Sequence, residues 1–230
     1  MAGAPAPLNE TERLAVLRTF EILDTAPEKC TDELTQLAAS VAGTPIALIS
    51  LVDESRQWFK ARVGLEASET PREHSFCAWC VYDVDALIVQ DAHLDARFSE
   101  NPLVTGEPGI RFYAGMPLMA ADNVCLGSLC VIDTVPRNLD DTVLEQLRLL
   151  ANIVVEHLQA RRTAAELADA LERVEVLGKL LPVCSYCKKL REDDEYKRSL
   201  ERWLHDEAGT QITHGICPDC AAKVIDEDHP

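Results

Sequence analysis

The run "PIALISLVDESRQWFKARVG", Pro45 to Gly64, decides the fold. Its first part, "PIALISLVD", is dense in β-branched and aliphatic residues. Its second, "RQWFKARVG", alternates more clearly, with Trp58, Ala61 and Val63 set among polar neighbours. Between them stands "DES", a run of turn formers. Two β-rich runs joined by so short a polar link read as an antiparallel hairpin.

Working outward, the periodicity upstream is helical. "NETERLAVLRTFEIL" opens on Asn9 as a candidate cap and sets Leu14, Leu17 and Ile22 near one face. "TDELTQLAASVAG" repeats the pattern, with Thr31 as cap, a stripe of Leu34, Leu37, Ala38 and Val41, and Gly43 as the stop. Downstream, "ALIVQD", "RFYAGMPLMA" and "GSLCVID" are further strand candidates. Helices, then a hairpin, then spaced strands predict an α+β domain with an antiparallel sheet over 9–136.

From Arg137 to Leu181 the pattern changes again. Leu144, Leu147, Ala151, Val154 and Leu158 recur at helical spacing, and Leu167, Leu171, Val174 and Leu181 continue a heptad-like row. Gly and Pro are absent from Asn138 to Leu177. One helix of roughly 65 Å is expected at about 1.5 Å per residue, ended by Pro182. It reads as a coiled-coil-like dimerisation helix, or as a helix folded back on its own domain. Arg161 and Gly178 interrupt the seam.

Composition narrows the function. The net charge is −17, so phosphate-backbone binding by counterion release is not expected, and neither nucleic acid nor an anionic membrane is a natural partner. The N-terminus lacks a basic start followed by an apolar core, and no apolar run is long enough to span a bilayer. A cytoplasmic protein is expected, in which nine cysteines serve as thiols or metal ligands rather than disulfides.

Four of those cysteines form two pairs, Cys184/Cys187 in "CSYCKKLR" and Cys217/Cys220 in "HGICPDC", with 29 residues between them. A C-x-x-C turn presents two sulfurs to one ion, and two such turns close a tetrahedral shell around zinc with no open position for water. The segment 182–230 is too short to bury much surface alone, so a metal would supply folding energy. An amphipathic helix is expected across "EYKRSLERWLHDEAG" between the pairs. Four thiolates also suit iron or an iron–sulfur cluster.

With these segments in order, the chain resembles a bacterial GAF domain over roughly residues 9–160. "ILDTAPE", "PIALISLVDESRQWFKARVGLEASETPREHSFCAWC", "DARFSENPLVTGEPGIRFYAGMPL" and "LGSLCVID" carry the likeness. The resemblance implies a central antiparallel sheet of five or six strands, helices behind it, and loops on the other face that form a small-molecule pocket. Domains of this family sense ligands, redox state or light, or dimerise, and are rarely enzymes. The tail is similar to a cysteine-rich segment at the ends of bacterial PAS- or GAF-containing signalling proteins, departing from it at Lys197. The cyclic-nucleotide signature of the family is absent, neither Cys77 nor Cys80 is followed by the histidine of bilin-binding members, and the methionine-sulfoxide-reductase cysteine set matches poorly.

Candidate pocket residues lie in "PREHSFCAWC" and "RFY": His74, Cys77, Trp79, Cys80, Arg111 and Tyr113. Aromatic walls with a few polar groups suit a small molecule. The plainer alternatives are core packing for Phe76 and Trp79, and a carboxylate partner such as Asp91 or Asp95 for Arg111. Cys77 and Cys80 share one side of a helical turn. They are a candidate redox pair or metal site, or else small buried hydrophobes. Cys30, Cys125 and Cys130 read as structural.

Three functional classes follow. A sensor would relay a ligand or redox change through the long helix to the tail and a signalling partner, as in two-component systems, with a homodimer supplying the bistable element. A ligand-free, zinc-stabilised dimeric adaptor is the second. An enzyme is the weakest, since no P-loop, dinucleotide-binding glycine pattern or nucleophile elbow is present. His205 and His157 are faint phosphoacceptor leads only. The resulting division is 9–136 sensory domain, 137–181 helix and 182–230 metal-binding tail.

Overall fold

The computed structural model describes residues 3–120, 124–178, 181–184, 212–216, 218 and 220–221. Two units can be distinguished, residues 1–163 and 164–230.

The hairpin forms as its sequence predicts. Strand β1 (Ile46–Val52) and strand β2 (Arg56–Val63) pair antiparallel. The turn between them is closed by the Asp53 amide donating to the Arg56 carbonyl at 2.8 Å. Strand β3 (Glu69–Pro71) extends one edge, and β4 (Leu87–Val89), β5 (Phe112–Met119) and β6 (Cys125–Asp133) complete a six-stranded antiparallel sheet in the order β3-β2-β1-β6-β5-β4. The α+β class is therefore correct. β3 escapes a pattern search because it is three residues long and ends on proline.

β1 is buried along its whole length. Its odd-numbered residues, Ala47, Ile49 and Leu51, join a core with helices α1 (Glu10–Thr19), α2 (Lys29–Ala42) and α5 (Asp141–Gly178). Its even-numbered residues Ile46 and Leu48 join a second core on the opposite face, as the two-residue strand period requires. Helices α3 (Cys77–Asp83) and α4 (Pro102–Thr105) and their loops cover that second face.

Several local expectations need correction. Asn9 precedes α1 but makes no side-chain cap. Thr31 lies inside α2, its hydroxyl donating to the Glu28 carbonyl at 2.8 Å. The buried face of α2 is Thr31, Thr35, Ala38, Ala39 and Ala42, while Leu37 is exposed. Small residues let this helix sit close on the sheet, and the larger leucine turns outward. Gly43 does end α2, at a φ of 62° that suits glycine. Cys30 is exposed and so packs in no core.

β2 does not alternate between core and solvent. Gln57 and Lys60 are both buried. Pairing passes from Ile49↔Ala61 to Ser50↔Phe59, which leaves Lys60 as the extra residue of a bulge. Its ammonium group donates to Thr25 Oγ1 at 2.9 Å, the Ala26 carbonyl at 2.8 Å and Glu28 Oε1 at 2.7 Å. All three donors are matched, so burial of the charge is tolerated.

The first part of the long helix folds back on its own domain, one of the two arrangements its pattern allows, and the helix ends at Gly178. Leu147, Leu150, Ala151, Val154, Val155 and Leu158 are buried in the first core, each large aliphatic side chain contributing about 2 kcal/mol. Leu167 and Leu171 are exposed. Arg161, which breaks the apolar seam, donates to Glu28 Oε1 at 3.1 Å and to the Phe20 carbonyl at 3.0 Å.

In the second unit, strands β7 (Leu181–Cys184) and β8 (Ile212–Gly215) pair in parallel, with Cys184 opposite Gly215. Cys187, Cys217 and the helix expected over 195–209 lie outside the described residues. So do the side chain of Cys184 and the four-sulfur site itself.

Candidate functional site

Two features share the sheet face opposite α1, α2 and α5. The first is a cavity of about 380 Å³. Its walls are Ile46, Leu48, Phe59 and Ile132 from the strands, with Leu103 and Ile110 from the α4 segment. Gln57 and Thr70 give it a polar edge, and the exposed carboxylates of Glu66 and Glu107 stand at its rim. α4 is placed by Asn101, whose side chain accepts from the Leu103 amide at 2.9 Å and donates to the His74 carbonyl at 3.0 Å. That side chain caps the short helix and ties it to the loop before α3.

Gln57 belongs to a buried polar chain. It donates to Thr70 Oγ1 at 2.7 Å, and its carbonyl oxygen accepts from Ser75 and, at 3.5 Å, from Ser50. Ser75 Oγ also accepts the Ala78 amide at 2.9 Å, opening α3. The amide of Gln57 is thus held in one orientation at the cavity edge.

The second feature is a thiol cluster. α3 presents Cys77 and Cys80 from consecutive turns toward β5 and β6. Tyr113 lies between them, fully buried. Its hydroxyl donates to Cys77 Sγ at 3.3 Å, lies 3.2 Å from Ser128 Oγ, and is 3.8 Å from Cys80 Sγ. Cys77 Sγ is 3.9 Å from Cys130 Sγ. Gly115 makes room for this phenol, since a Cβ there would stand 2.3 Å from the Tyr113 oxygen.

The electrostatics of the cluster are uneven. Burial opposes ionisation of Cys77, but hydrogen bonds from Cys130, Ser128, Ser50 and Tyr113 outweigh it and lower its pKa. Burial, together with the neighbouring Cys77 charge, raises Cys80 and Tyr113 above their ordinary values. Cys130 rises through burial and through its hydrogen bond to Cys77. The hydrogen bonds thus favour the ionised form at Cys77, while burial favours the protonated form at Cys80, Tyr113 and Cys130.

Of the residues predicted for a pocket, Cys77, Cys80 and Tyr113 meet in this cluster. Trp79 is one ring away, edge-on to Phe98 at 6.1 Å, and Phe98 stacks on Phe76 at 3.9 Å. The Trp79 indole N–H is buried without an acceptor among the described residues. Arg111 takes the carboxylate expected for it, Asp91, through two bonds of 2.8 and 2.6 Å. That guanidinium holds Asp91 down to about 2. His74 contributes its carbonyl to Asn101, and its ring faces Glu73 at 3.6 Å. None of these six lines the cavity. Pattern reading missed Gln57, Ser50, Ser128 and the part played by Cys130. For Ser50, Ser128 and Cys130 the signal is a polar or thiol residue on otherwise apolar strands β1 and β6; Gln57, in the more polar β2, carries no such signal.

A six-stranded antiparallel sheet, helices on one face and a small cavity with a fixed polar edge on the other define an α+β module with a ligand-sized site. The model of the GAF domain matches residues 26–158, and the chain belongs to that family, which suggests a sensory or signalling role. It is 43% identical over 164 residues to a cyclic di-GMP phosphodiesterase of Pseudomonas aeruginosa. That match takes in 71% of this chain but only 28% of the relative. Among solved structures, the GAF domain of an Acinetobacter phosphoenolpyruvate-protein phosphotransferase is similar, with a TM-score of 0.50 and 17% identity. It covers 67% of this chain and 98% of that one. A free methionine-R-sulfoxide reductase from Neisseria meningitidis has a TM-score of 0.50 at 16% identity, covering 71% and 98%. These two share the fold. No helix among the described residues is long and apolar enough to cross a membrane.

Proposed function

We propose that this chain is a sensory signalling protein whose GAF domain takes up a small, mainly apolar molecule in the cavity beside Gln57. The single observation that carries the reading is that cavity: apolar walls with one oriented amide at the edge. The two rim carboxylates favour an uncharged or cationic ligand and oppose an anionic one. Occupancy would be relayed through α5 to a protein partner, with a homodimer formed along the helix where Leu167 and Leu171 stand exposed. The molecule acts as a cytoplasmic regulator and not as an enzyme in its own right.

The tail would hold zinc through Cys184, Cys187, Cys217 and Cys220, with iron or an iron–sulfur cluster as the alternative. Supporting this, β7 and β8 pair so that Cys184 stands opposite Gly215, two residues before Cys217 in the chain. Adjacent strands lie about 4.8 Å apart, so the backbones of Cys184 and Gly215 are close, which is compatible with one shared ion. The named relative supports a second reading, in which the chain regulates cyclic-dinucleotide turnover carried out by a partner.

Native mass spectrometry of the full chain, purified under thiol protection, tests these assignments. One divalent zinc per chain and a co-purified neutral or cationic molecule are the expected result. A metal-free chain would overturn the tail assignment. A cavity that stays empty after screening, while the metal is bound, would favour the adaptor.

A further inference from the structure

The geometry points to Cys77 and Cys130 as a redox-active dithiol that a hydroperoxide converts to a disulfide, so that the domain also records peroxide. This deepens the sensory reading but needs neither the metal nor the cavity ligand. The two sulfurs face each other at 3.9 Å from two separate elements, α3 and β6. A disulfide spans about 2.05 Å, so closure asks the two sulfurs to approach by roughly 2 Å. Cys80 is not the partner: its sulfur meets the Gly115 carbonyl at 3.6 Å and the Tyr113 hydroxyl instead. A metal is not the explanation either, because among the described residues no three Cys, His, Asp or Glu side chains converge as a metal-ligand group.

The surroundings suit the chemistry. The pair is buried, and a buried thiol in apolar surroundings is ordinarily inert. Here the Tyr113 hydroxyl donates to Cys77, and Ser128 and Ser50 stand by as further hydrogen-bond partners. A thiolate on Cys77 would thus be solvated by protein groups. The pair does not line the cavity but shares neighbours with it: Leu48, which lines it, is the cross-strand partner of Cys130, and Ile132, which also lines it, lies two residues further along the same strand face. An oxidant in the cavity would then approach the cluster from the Gln57–Ser50 side.

The step balances. Cys77 thiolate attacks the peroxide oxygen, the O–O bond breaks, and the leaving alkoxide or hydroxide takes a proton, giving an alcohol or water and a sulfenic acid on Cys77. Cys130 then attacks that sulfur as it loses its proton. The S–S bond forms and water leaves. In sum, two thiols and one hydroperoxide give one disulfide, one alcohol or water, and one further water. The bond would join α3 to β6, the strand that leads into α5.

The test uses the full chain, reduced and then freed of reductant under anaerobic conditions. Separate samples are treated with hydrogen peroxide and with cumene hydroperoxide, alkylated after unfolding, digested with trypsin and mapped. The relevant peptides are 73–97, with Cys77 and Cys80, and 112–137, with Cys125 and Cys130, so fragmentation must assign the link. At least a tenfold rise in the Cys77–Cys130 link over the untreated sample, reversed by dithiothreitol, is expected. A faster reaction with cumene hydroperoxide would assign an organic peroxide entering through the cavity, and a faster one with hydrogen peroxide a small diffusing oxidant. In Cys130→Ala, checked for folding by circular dichroism, a dimedone-trapped sulfenic acid should remain on Cys77. A Cys77–Cys80 link, or both thiols still alkylated after the tail cysteines are oxidised, would overturn the inference. Should that happen while a small molecule occupies the cavity, the redox assignment falls and the ligand assignment stands.

Discussion

Glu28 joins three elements at the start of α2, and replacing it with glutamine tests how much that junction carries. Its carboxylate meets Lys60 from the β2 bulge at 2.7 Å and two residues of α5, His157 at 3.2 Å and Arg161 at 3.1 Å. Burial raises its pKa, but the bonds from Lys60 and His157, with the charges of Lys60 and Arg161, prevail and lower it. The Lys60 side chain is 0% exposed, and that of Glu28 is 28% exposed. Removing one partner of a buried ion pair costs about 3–5 kcal/mol. Here Lys60 keeps two neutral oxygens, and water reaches the Glu28 side, so Glu28→Gln is expected to cost about 2–3 kcal/mol. For a domain of this size that lowers the thermal midpoint by about 5–10 °C. Lys60→Met removes the buried ammonium along with its need for acceptors and should cost within about 1 kcal/mol. The double variant should then be more stable than Glu28→Gln alone, with a coupling of about 2 kcal/mol. Urea unfolding followed by circular dichroism, with m held constant, measures all four forms. A Glu28→Gln cost below about 0.5 kcal/mol, or strictly additive losses in the double variant, would refute the reasoning.

Two further outcomes are expected. Gly127→Ala would place a Cβ 1.9 Å from the Ser50 carbonyl oxygen on β1, whereas Gly43→Ala meets nothing within 4 Å and suffers only its positive φ. The first should therefore lose more than about 3 kcal/mol and the second about 1 kcal/mol, as thermal melts of the two variants would show. Burial raises the pKa of Glu10, but Arg13 and Arg72 outweigh it and hold the carboxylate down to about 2. A depressed folded-state pKa gives stability that is present above the unfolded value near 4.5 and lost as pH falls toward 2. Urea midpoints at pH 7, 4.5 and 3 should thus fall steeply for the native chain and more gently for Glu10→Gln.

Much of the fold was legible. Pro45–Gly64 displays its hairpin through composition and a three-residue polar turn, and Gly43 marks the end of α2. Where a residue's partner is distant in the chain, periodicity was blind. Lys60 and Gln57 look like solvent-facing positions in "RQWFKARVG", because a bulge and a serine on the neighbouring strand are what let them go inside. Leu37 looks like core, since its hydrophobicity says nothing of how closely α2 must approach the sheet. The same limit governs the site. Cys77 and Cys80 stood out as a sequence-local pair, yet a sulfur 3.9 Å from that of Cys77 belongs to Cys130, 53 residues away. The leucine row of α5 could not reveal that Arg161 marks the change from buried to exposed, since that depends on carbonyl groups of Phe20 and Glu21.

The parity of β1 has an evolutionary consequence. One strand serves two layers, and neighbouring positions answer to different demands. Substitutions at 47, 49 and 51 disturb the core under the helices α1, α2 and α5, whereas those at 46 and 48 act on the second core and the chamber it borders. A lineage could therefore exchange what the chamber accepts by point changes at every second residue, without rebuilding the architecture that holds it.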